Sequence, residues 1–315
     1  KIKKIFNPNL IVEIGSNDGA FIKNFERSKS IGVEPCKNLA RITKKNNYRT
    51  FSEFWNCKLA RKIIKFGKAD VIYSANTLSH IKDLNEIFRA INIVLNEDGV
   101  LIIEDPSLLE CLKSVAYDQF YCEHIYVFSS LALKNVLQNF NLIIFNIENT
   151  KTHGGSNRYY IKKSSSKKNK INSSVNNEIN KEIKFGLKKF STYKKFEKKV
   201  SISKIKLVNI IKRLKNRNFT IIGYGATAKS CTVLNYCKIG TKLIDYFYDT
   251  TPNKINKYLP GSKIKVKKYK ELNKKNVDFA YLGAWNFKKE IFKKEKKFLL
   301  NGGKFITHVP YPKII

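Results

Sequence analysis

Two glycine-rich turns, each set directly behind a short apolar run, constrain this chain more than any other feature: IVEIGSNDGAF at 11–21 and FTIIGYGATAKS at 219–230. In the first, Leu10, Ile11 and Val12 read as a buried strand. Gly15 and Gly19 lack a Cβ, so the backbone can turn sharply there and approach a ligand. Phe21, Ile22 and Phe25 predict an amphipathic helix behind them. Strand, loop and helix make the opening unit of a doubly wound α/β sheet, whose ligands sit at the carboxyl ends of the strands. The same string could also serve as a plain tight turn, so the chemistry of the loop has to decide.

That loop is G-x-x-x-G and carries Asp18, whose charge would repel the pyrophosphate that a G-x-G-x-x-G loop seats on a helix N-terminus. A nucleoside cofactor with positive charge and no phosphate suits it better, and S-adenosylmethionine, with its sulfonium and ammonium, is of that kind. A second apolar strand, SIGVEP at 30–35, ends in Glu34, 19 residues after Gly15. A carboxylate at that place grips a ribose diol. The second loop differs. Gly223, Gly225 and Ala228 spell G-x-G-x-x-A, with Asp245 and Asp249 about 20 to 25 residues on. This dinucleotide-type fingerprint keeps an NAD(P) oxidoreductase open as a rival.

The net charge of +36 raises the question of a nucleic-acid partner. Residues 1–150 hold 20 basic and 16 acidic side chains, residues 151–218 hold 21 and 3, and residues 219–315 hold 20 and 6. Only 8 of the 61 basic residues are arginine, the side chain preferred for bidentate phosphate and base recognition. The reading is therefore no nucleic acid, with an anionic small substrate compatible. No apolar run approaches the ~20 residues of a membrane span, so no membrane is expected. Six cysteines without C-x-x-C or zinc spacing suggest reduced thiols and a cytoplasmic location. The chain contains no methionine and its first strand starts within ten residues, which reads as a missing upstream segment. The oligomeric state is not legible.

Strands are expected at 69–76 and, after a turn at Glu97-Asp98-Gly99, at 100–105, with a helix over 84–95. An antiparallel pair at 142–149 and 158–163 closes the first sheet. The aromatic and acidic segment 117–129 does not look like core. Residues 164–180 read as a polar linker. Ile183, Leu187 and Phe190, then Ile205, Val208, Ile211 and Leu214, predict one or two lysine-rich helices with a solvated basic face. Strands at 277–285 and 304–310 complete a small domain. The expected division is 1–163, then linker and helices at 164–217, then 218–315.

With these segments in hand the sequence resembles the bacterial sugar C-methyltransferases that act on nucleotide-linked 4-keto-deoxyhexoses. The matching strings, in order, are EIGSNDG, GVEP, AN with SHI, EDP, YDQFYCEH, HGGSNRYYI, GYGATAK with LNYC, PGSKI, GAWNFKKEI and GGKFITHVP, from residue 13 to 310. The resemblance implies a class I S-adenosylmethionine methyltransferase domain of Rossmann-like α/β fold, followed by a smaller Rossmann-like domain that helps hold the nucleotide sugar and runs no redox chemistry. The family also has an N-terminal zinc domain. Its four-cysteine site is not in this sequence, so no metal is expected in these residues.

Methylating carbon 3 of a 4-ketohexose requires a proton to leave the carbon next to the carbonyl, which needs a general base near neutral pH and a donor for the enolate oxygen. By the resemblance, His124 is the base, Glu123 its orienting or proton-relaying partner and Tyr121 the hydroxyl donor. Cofactor contacts are expected from Glu13, Gly15, Asn17, Asp18 and Gly19 in the first loop, from Glu34 and from Asn76, while His80 is either a further contact or a helix-capping or core histidine. Substrate contacts are expected at His153 and Ser156 around the glycine turn, with Arg158 either there or merely in a strand, and at Lys229, whose ammonium beside a glycine loop can meet a pyrophosphate. His308 is read as structural. Methylation of a sugar oxygen, which needs only a hydroxyl deprotonated, remains an alternative.

Overall fold

Each glycine loop belongs to a sheet of its own. The protein, seen in a computed structural model, is described over residues 2–315. It divides into two units, residues up to 108 together with 123–186, and residues 109–122 together with 187–315.

In the first unit the strands are β1 (Ile11–Ile14), β2 (Ser30–Val33), β3 (Arg49–Phe51), β4 (Ala69–Ala75), β5 (Leu95–Pro106), β6 (Leu142–Thr150) and β7 (Ser156–Lys163). They lie in the order β3-β2-β1-β4-β5-β7-β6. The first five run parallel, and β7 is antiparallel to both β5 and β6. The short β1 is buried along its whole length because both faces are covered, which is why it reads as an unbroken apolar run. Val12 and Ile14 pack into one core with Ile31 and Ile72, while Ile11 packs into another with Val71 and Ile102.

Two expectations need correcting here. The helix predicted after Gly19 is a single 3-10 turn, Ile22–Asn24. The Asn24 amide donates to the carbonyls of Phe21 at 2.8 Å and Ala20 at 3.2 Å. Side-chain bonds of this kind compete with helix propagation, and the chain turns extended at Phe25, whose ring is buried. The linker expected at 164–180 is helical from Ser173, in Ser173–Phe185. Val175 and Ile179 of this helix enter the first core. Its Glu182 accepts the amides of Ser130 at 2.6 Å and Leu131 at 2.9 Å at the start of the helix Ser130–Gln138. A carboxylate at a helix N-terminus meets unpaired amides and the positive end of the dipole.

The second unit holds β8 (Ile221–Tyr224), β9 (Phe247–Asp249), β10 (Val266–Lys268), β11 (Phe279–Leu282), β12 (Lys304–Thr307) and β13 (Lys313–Ile314), in the order β10-β9-β8-β11-β12-β13. All pair parallel except β13. The lysine-rich helix Phe190–Lys215 lays Val200, Leu207, Ile211 and Leu214 on this core, whereas Ile183 and Ile205 of the predicted helical stripe are exposed. The segment 117–129 is also corrected in part. Tyr117, Asp118 and Gln119 are buried, and Tyr117 belongs to the second core. Among the described residues no helix is long and apolar enough to cross a membrane, and no cluster of three or more His, Cys, Asp or Glu could hold a metal ion.

Candidate active site

The turn behind β1 is built around two left-handed glycines, Gly15 at φ 74° and Gly19 at φ 82°. A Cβ on Gly15 would run into the Thr77 side chain, so the loop after β1 lies hard against the loop after β4. Asn17 also sits left-handed, at φ 49°, and its amide donates to Glu34 Oε2 at 2.9 Å. Glu34 Oε1 takes the amide of Cys36 at 2.9 Å. Glu34 thereby clasps its own turn and the glycine loop, and each oxygen keeps a lone pair for a ligand hydroxyl. Asp18 is exposed, and its carboxylate accepts the Ala20 amide at 3.3 Å.

Buried polar atoms without a hydrogen bond gather at the carboxyl edge of this sheet: Glu13 Oε2 and Ser16 Oγ at β1, Asn76 Oδ1 and Ser79 Oγ past β4, both oxygens of Asp105 and Ser107 Oγ at the end of β5. Unpaired buried groups of this sort are costly and mark a place that another molecule completes. Burial pushes the Glu13 carboxyl up to about 8, the Ile22 amide opposing and the charges of Asp18 and Glu34 adding to the rise. Burial pushes Asp105 up to about 7, the neighbouring Ser79 opposing without reaching hydrogen-bond geometry. An edge with spare carboxylate oxygens needs positive charge and donors. The sulfonium, ammonium and ribose hydroxyls of S-adenosylmethionine supply both, so these residues fit that cofactor, which Glu13, Glu34 and the glycine loop would hold. Of the expected contacts, Asn76 is left-handed at φ 51° and anchored by its amide to the Glu104 carbonyl at 2.7 Å. Ser16, Ser79 and Asp105 were not singled out from the sequence. Asp105 lies in the string EDP, but nothing local announces that a charged residue there is only 1 % exposed.

His80 follows Ser79 in a 3-10 turn, and its ring meets that of His124 edge-on with centroids 5.1 Å apart. The His124 segment is held there by backbone pairing. The Tyr126 amide donates to the Ser79 carbonyl at 3.1 Å and the Leu108 amide to the Phe128 carbonyl at 2.9 Å. Burial holds His80 below the ordinary imidazole value, the Glu123 charge working against it. Glu123 and His124 belong to the first unit, whereas Tyr121 falls in the 109–122 segment of the second.

The expected substrate contacts have structural partners within the first unit. Arg158 pairs with Glu104 at 2.6 Å and stands 3.6 Å from Glu148. Although burial works against the charge, the Glu104 carboxylate keeps that guanidinium strongly protonated. Ser156 donates its hydroxyl to the Thr152 carbonyl at 2.9 Å. His153 is half-buried and left-handed at φ 53°.

In the second unit Gly223 lies against the Phe247 ring and Gly225, at φ 87°, against Ala284. Thr227 caps the helix Ala228–Cys237 by accepting the Ser230 amide at 3.1 Å. Lys229 turns inward. It is buried, its Nζ makes no hydrogen bond, and it stands 5.6 Å from the centre of the Trp285 ring. Burial lowers its pKa, with Asp118 and Cys111 opposing. Asp118 accepts the Trp285 indole N–H at 2.6 Å and lies 3.5 Å from His308, whose Nδ1 meets the Tyr281 hydroxyl at 3.0 Å. Burial alone would raise the Asp118 carboxyl, but His308, Trp285 and Lys229 more than offset it and hold it low. His308 is wholly buried, in keeping with the structural role expected for it.

The chain is 29 % identical over 310 residues to the C-methyltransferase NovU of Streptomyces niveus, covering 98 % of this chain and 74 % of that one. Among solved structures, a methyltransferase from Anabaena variabilis gives 17 % identity and a TM-score of 0.39 over 51 % of this chain and 80 % of that one. The magnesium protoporphyrin IX methyltransferase of Synechocystis, with bound S-adenosylmethionine, gives 12 % and 0.36 over 49 % and 70 %. These two likenesses are too distant to carry an argument. A methyltransferase domain family matches residues 2–145, where the spare carboxylates gather. The C-methyltransferase C-terminal domain family matches residues 151–310, more than half of the sequence. The chain therefore belongs to the C-methyltransferase family and is an S-adenosylmethionine-dependent methyltransferase.

Proposed function

We propose that the chain methylates carbon 3 of a nucleotide-linked 4-keto-deoxyhexose, with His124 as the general base. The observation that carries this reading is the histidine pair beside the acidic edge. His124 packs against His80, four residues past Asn76 at the tip of β4. When bound, S-adenosylmethionine supplies an electrophilic methyl group on sulfur. His124 Nε2 or Nδ1 takes the proton from carbon 3, the electron pair moves into the enolate, and carbon 3 would then form the new carbon–methyl bond as the sulfur–methyl bond breaks, its electron pair staying on the thioether sulfur of the departing S-adenosylhomocysteine. His80, held below the ordinary imidazole value, stays neutral, so a proton arriving on His124 meets no second cation beside it. Glu123 next to it in sequence supplies a negative charge that favours the protonated ring. Tyr121 is assigned as donor to the enolate oxygen by the family resemblance.

Exchange of the carbon-3 hydrogen with deuterated solvent, in the presence of S-adenosylhomocysteine, isolates the first step. His124→Asn keeps volume and a donor but accepts no proton. It should abolish exchange and lower kcat by ~10²–10⁴ while cofactor affinity holds. Exchange and methylation at normal rates in that variant would remove His124 from the mechanism. Methylation that survives the loss of exchange would point to an oxygen acceptor.

A further inference from the structure

The strand order of the second sheet reverses between β8 and β11. A doubly wound sheet keeps an open crevice outside the carboxyl ends of the strands at such a point. Here part of that crevice is taken by the chain itself. The chain leaves the first unit after residue 108 and rejoins it at 123, and the excursion 109–122 belongs to the second unit. Its 3-10 turn, Tyr117–Gln119, is buried at all three positions.

Three elements hold this turn. Past β11, the Trp285 indole donates to Asp118 Oδ2 at 2.6 Å. Past β12, His308 Nε2 stands 3.5 Å from the same oxygen, and the His308 ring meets that of Tyr117 edge-on with centroids 5.5 Å apart. The helix behind β8 supplies the Lys229 charge, the Tyr236 ring 5.6 Å from Tyr117, and the Cys237 thiol 3.6 Å from the Tyr117 hydroxyl. The turn closes with the Phe120 amide on the Tyr117 carbonyl at 3.2 Å, and the Phe120 ring lies 5.9 Å from that of Phe196. Tyr121 follows directly.

Packing alone could have held such a turn. A carboxylate with no exposed area is costly unless partners offset it, and an apolar side chain would fill the space at less cost. What the acid adds is register. An indole N–H meets a carboxylate oxygen in one direction and at one distance, so residue 118 and those after it cannot slide along the crevice.

We infer that Asp118 is a positioning residue for the methyl transfer: its bond to Trp285 and its charge contacts with His308 and Lys229 fix the turn that Tyr121 follows. That Tyr121 donates to the enolate oxygen rests on the proposed function; that Asp118 anchors the segment does not.

Amide hydrogen exchange reads the anchor, and steady-state kinetics with a dTDP-linked 4-keto-6-deoxyhexose reads its consequence, both in the whole chain. Asp118→Asn keeps the shape and an acceptor for the indole but gives up the charge. Trp285→Phe keeps a ring and removes the donor. Each should speed exchange over residues 116–122 and lower kcat ~10- to 100-fold, the loss expected of a misplaced group, with S-adenosylhomocysteine affinity within about twofold. Exchange in β8, β11 and β12 should stay as in the natural chain, which separates a loosened segment from a lost fold. Adding Asp118→Asn to Tyr121→Phe should lower kcat by less than about twofold more, because effects that act through one group do not add. Natural exchange rates over 116–122 in both anchor variants overturn the inference. So does faster exchange with kcat unchanged where Tyr121→Phe lowers it, or a double variant whose loss equals the product of the two single losses. A kcat that is normal in all the variants despite faster exchange would overturn the donor role of Tyr121, and the positioning role with it, while the anchor stands. If the natural chain leaves this acceptor untouched, the proposed function fails, and the exchange rates still decide the anchor.

Discussion

The carboxyl edges of the two sheets are alike in build and opposite in what they leave unsatisfied. At the first edge the spare groups are acceptors, with Glu13 Oε2 and both oxygens of Asp105 lacking partners. Beside the second glycine loop the Lys229 ammonium lacks a hydrogen bond, as do Asp118 Oδ1 and His308 Nε2 of the same cluster. The flanking sequence follows suit, since residues 1–150 are nearly balanced in charge whereas residues 219–315 hold 20 basic and 6 acidic side chains. The common topology fixes where a ligand lies. The side chains just past the strands fix its sign. The first edge thereby suits a cationic cofactor and the second presents a buried ammonium, without any difference in strand order around the two glycine loops.

The strongest way to break this comparison is to cut the clasp of the first edge. Glu34→Ala leaves the amides of Asn17 and Cys36 without their acceptor and removes a ribose partner. It should weaken S-adenosylhomocysteine binding by about 2–3 kcal/mol, roughly 30- to 150-fold, while the KM for an anionic substrate stays unchanged. If both change together, the two edges do not work as separate sites.

The clasp also shows how much the sequence disclosed. Glu34 and Asp249 were legible because a glycine loop and an acid about 20 residues on form a local pattern along the chain. The strands β1, β2, β4 and β8 were legible for a similar reason, as short apolar runs ending at glycine, asparagine or acid. Asp118 was not. A buried acid in a string of aromatics reads as a surface loop until Trp285, 167 residues away in sequence, donates to it. Helix Ser173–Phe185 was hidden too, since four apolar residues in a polar stretch promise little burial. What docks it is Glu182 on the amides of Ser130 and Leu131, a contact no periodicity encodes. The turn after Gly19 misled in the other direction, because the apolar spacing favours a helix that Asn24 stops by bonding back to Phe21 and Ala20.

A subtler test sharpens the sign of the first edge. The Glu13 carboxyl is raised from 4.5 to about 8, so between those pH values the folded chain holds a proton that the unfolded chain has released. Folded stability conferred by the protonated form should then fall as pH rises from about 5 to 8. A bound cation would draw that proton off. Uptake of S-adenosylmethionine near pH 7 should release a fraction of a proton, seen as a difference in binding heat between buffers of unlike ionisation enthalpy. Glu13→Gln should remove most of this release, and Asp105→Asn a smaller share. Identical proton counts in all three proteins would mean that neither carboxyl faces the cofactor.

The smallest expected change concerns the second edge and its buried ammonium. Lys229 makes no hydrogen bond through Nζ, and burial already works against its charge. Asp118 would keep Trp285 and His308 without it. A methionine has a similar unbranched shape and carries no desolvation penalty. Lys229→Met should therefore shift stability by about 1 kcal/mol or less, far below the 3–5 kcal/mol typical of breaking a tightly paired buried ion. If Lys229 serves a ligand instead of the fold, the affected quantity should be the KM for an anionic substrate, rising several-fold with S-adenosylhomocysteine affinity unaltered. Thermal melts and steady-state kinetics on the one variant decide between the two roles. A large loss of stability with an unchanged KM would make Lys229 a structural counter-ion of Asp118.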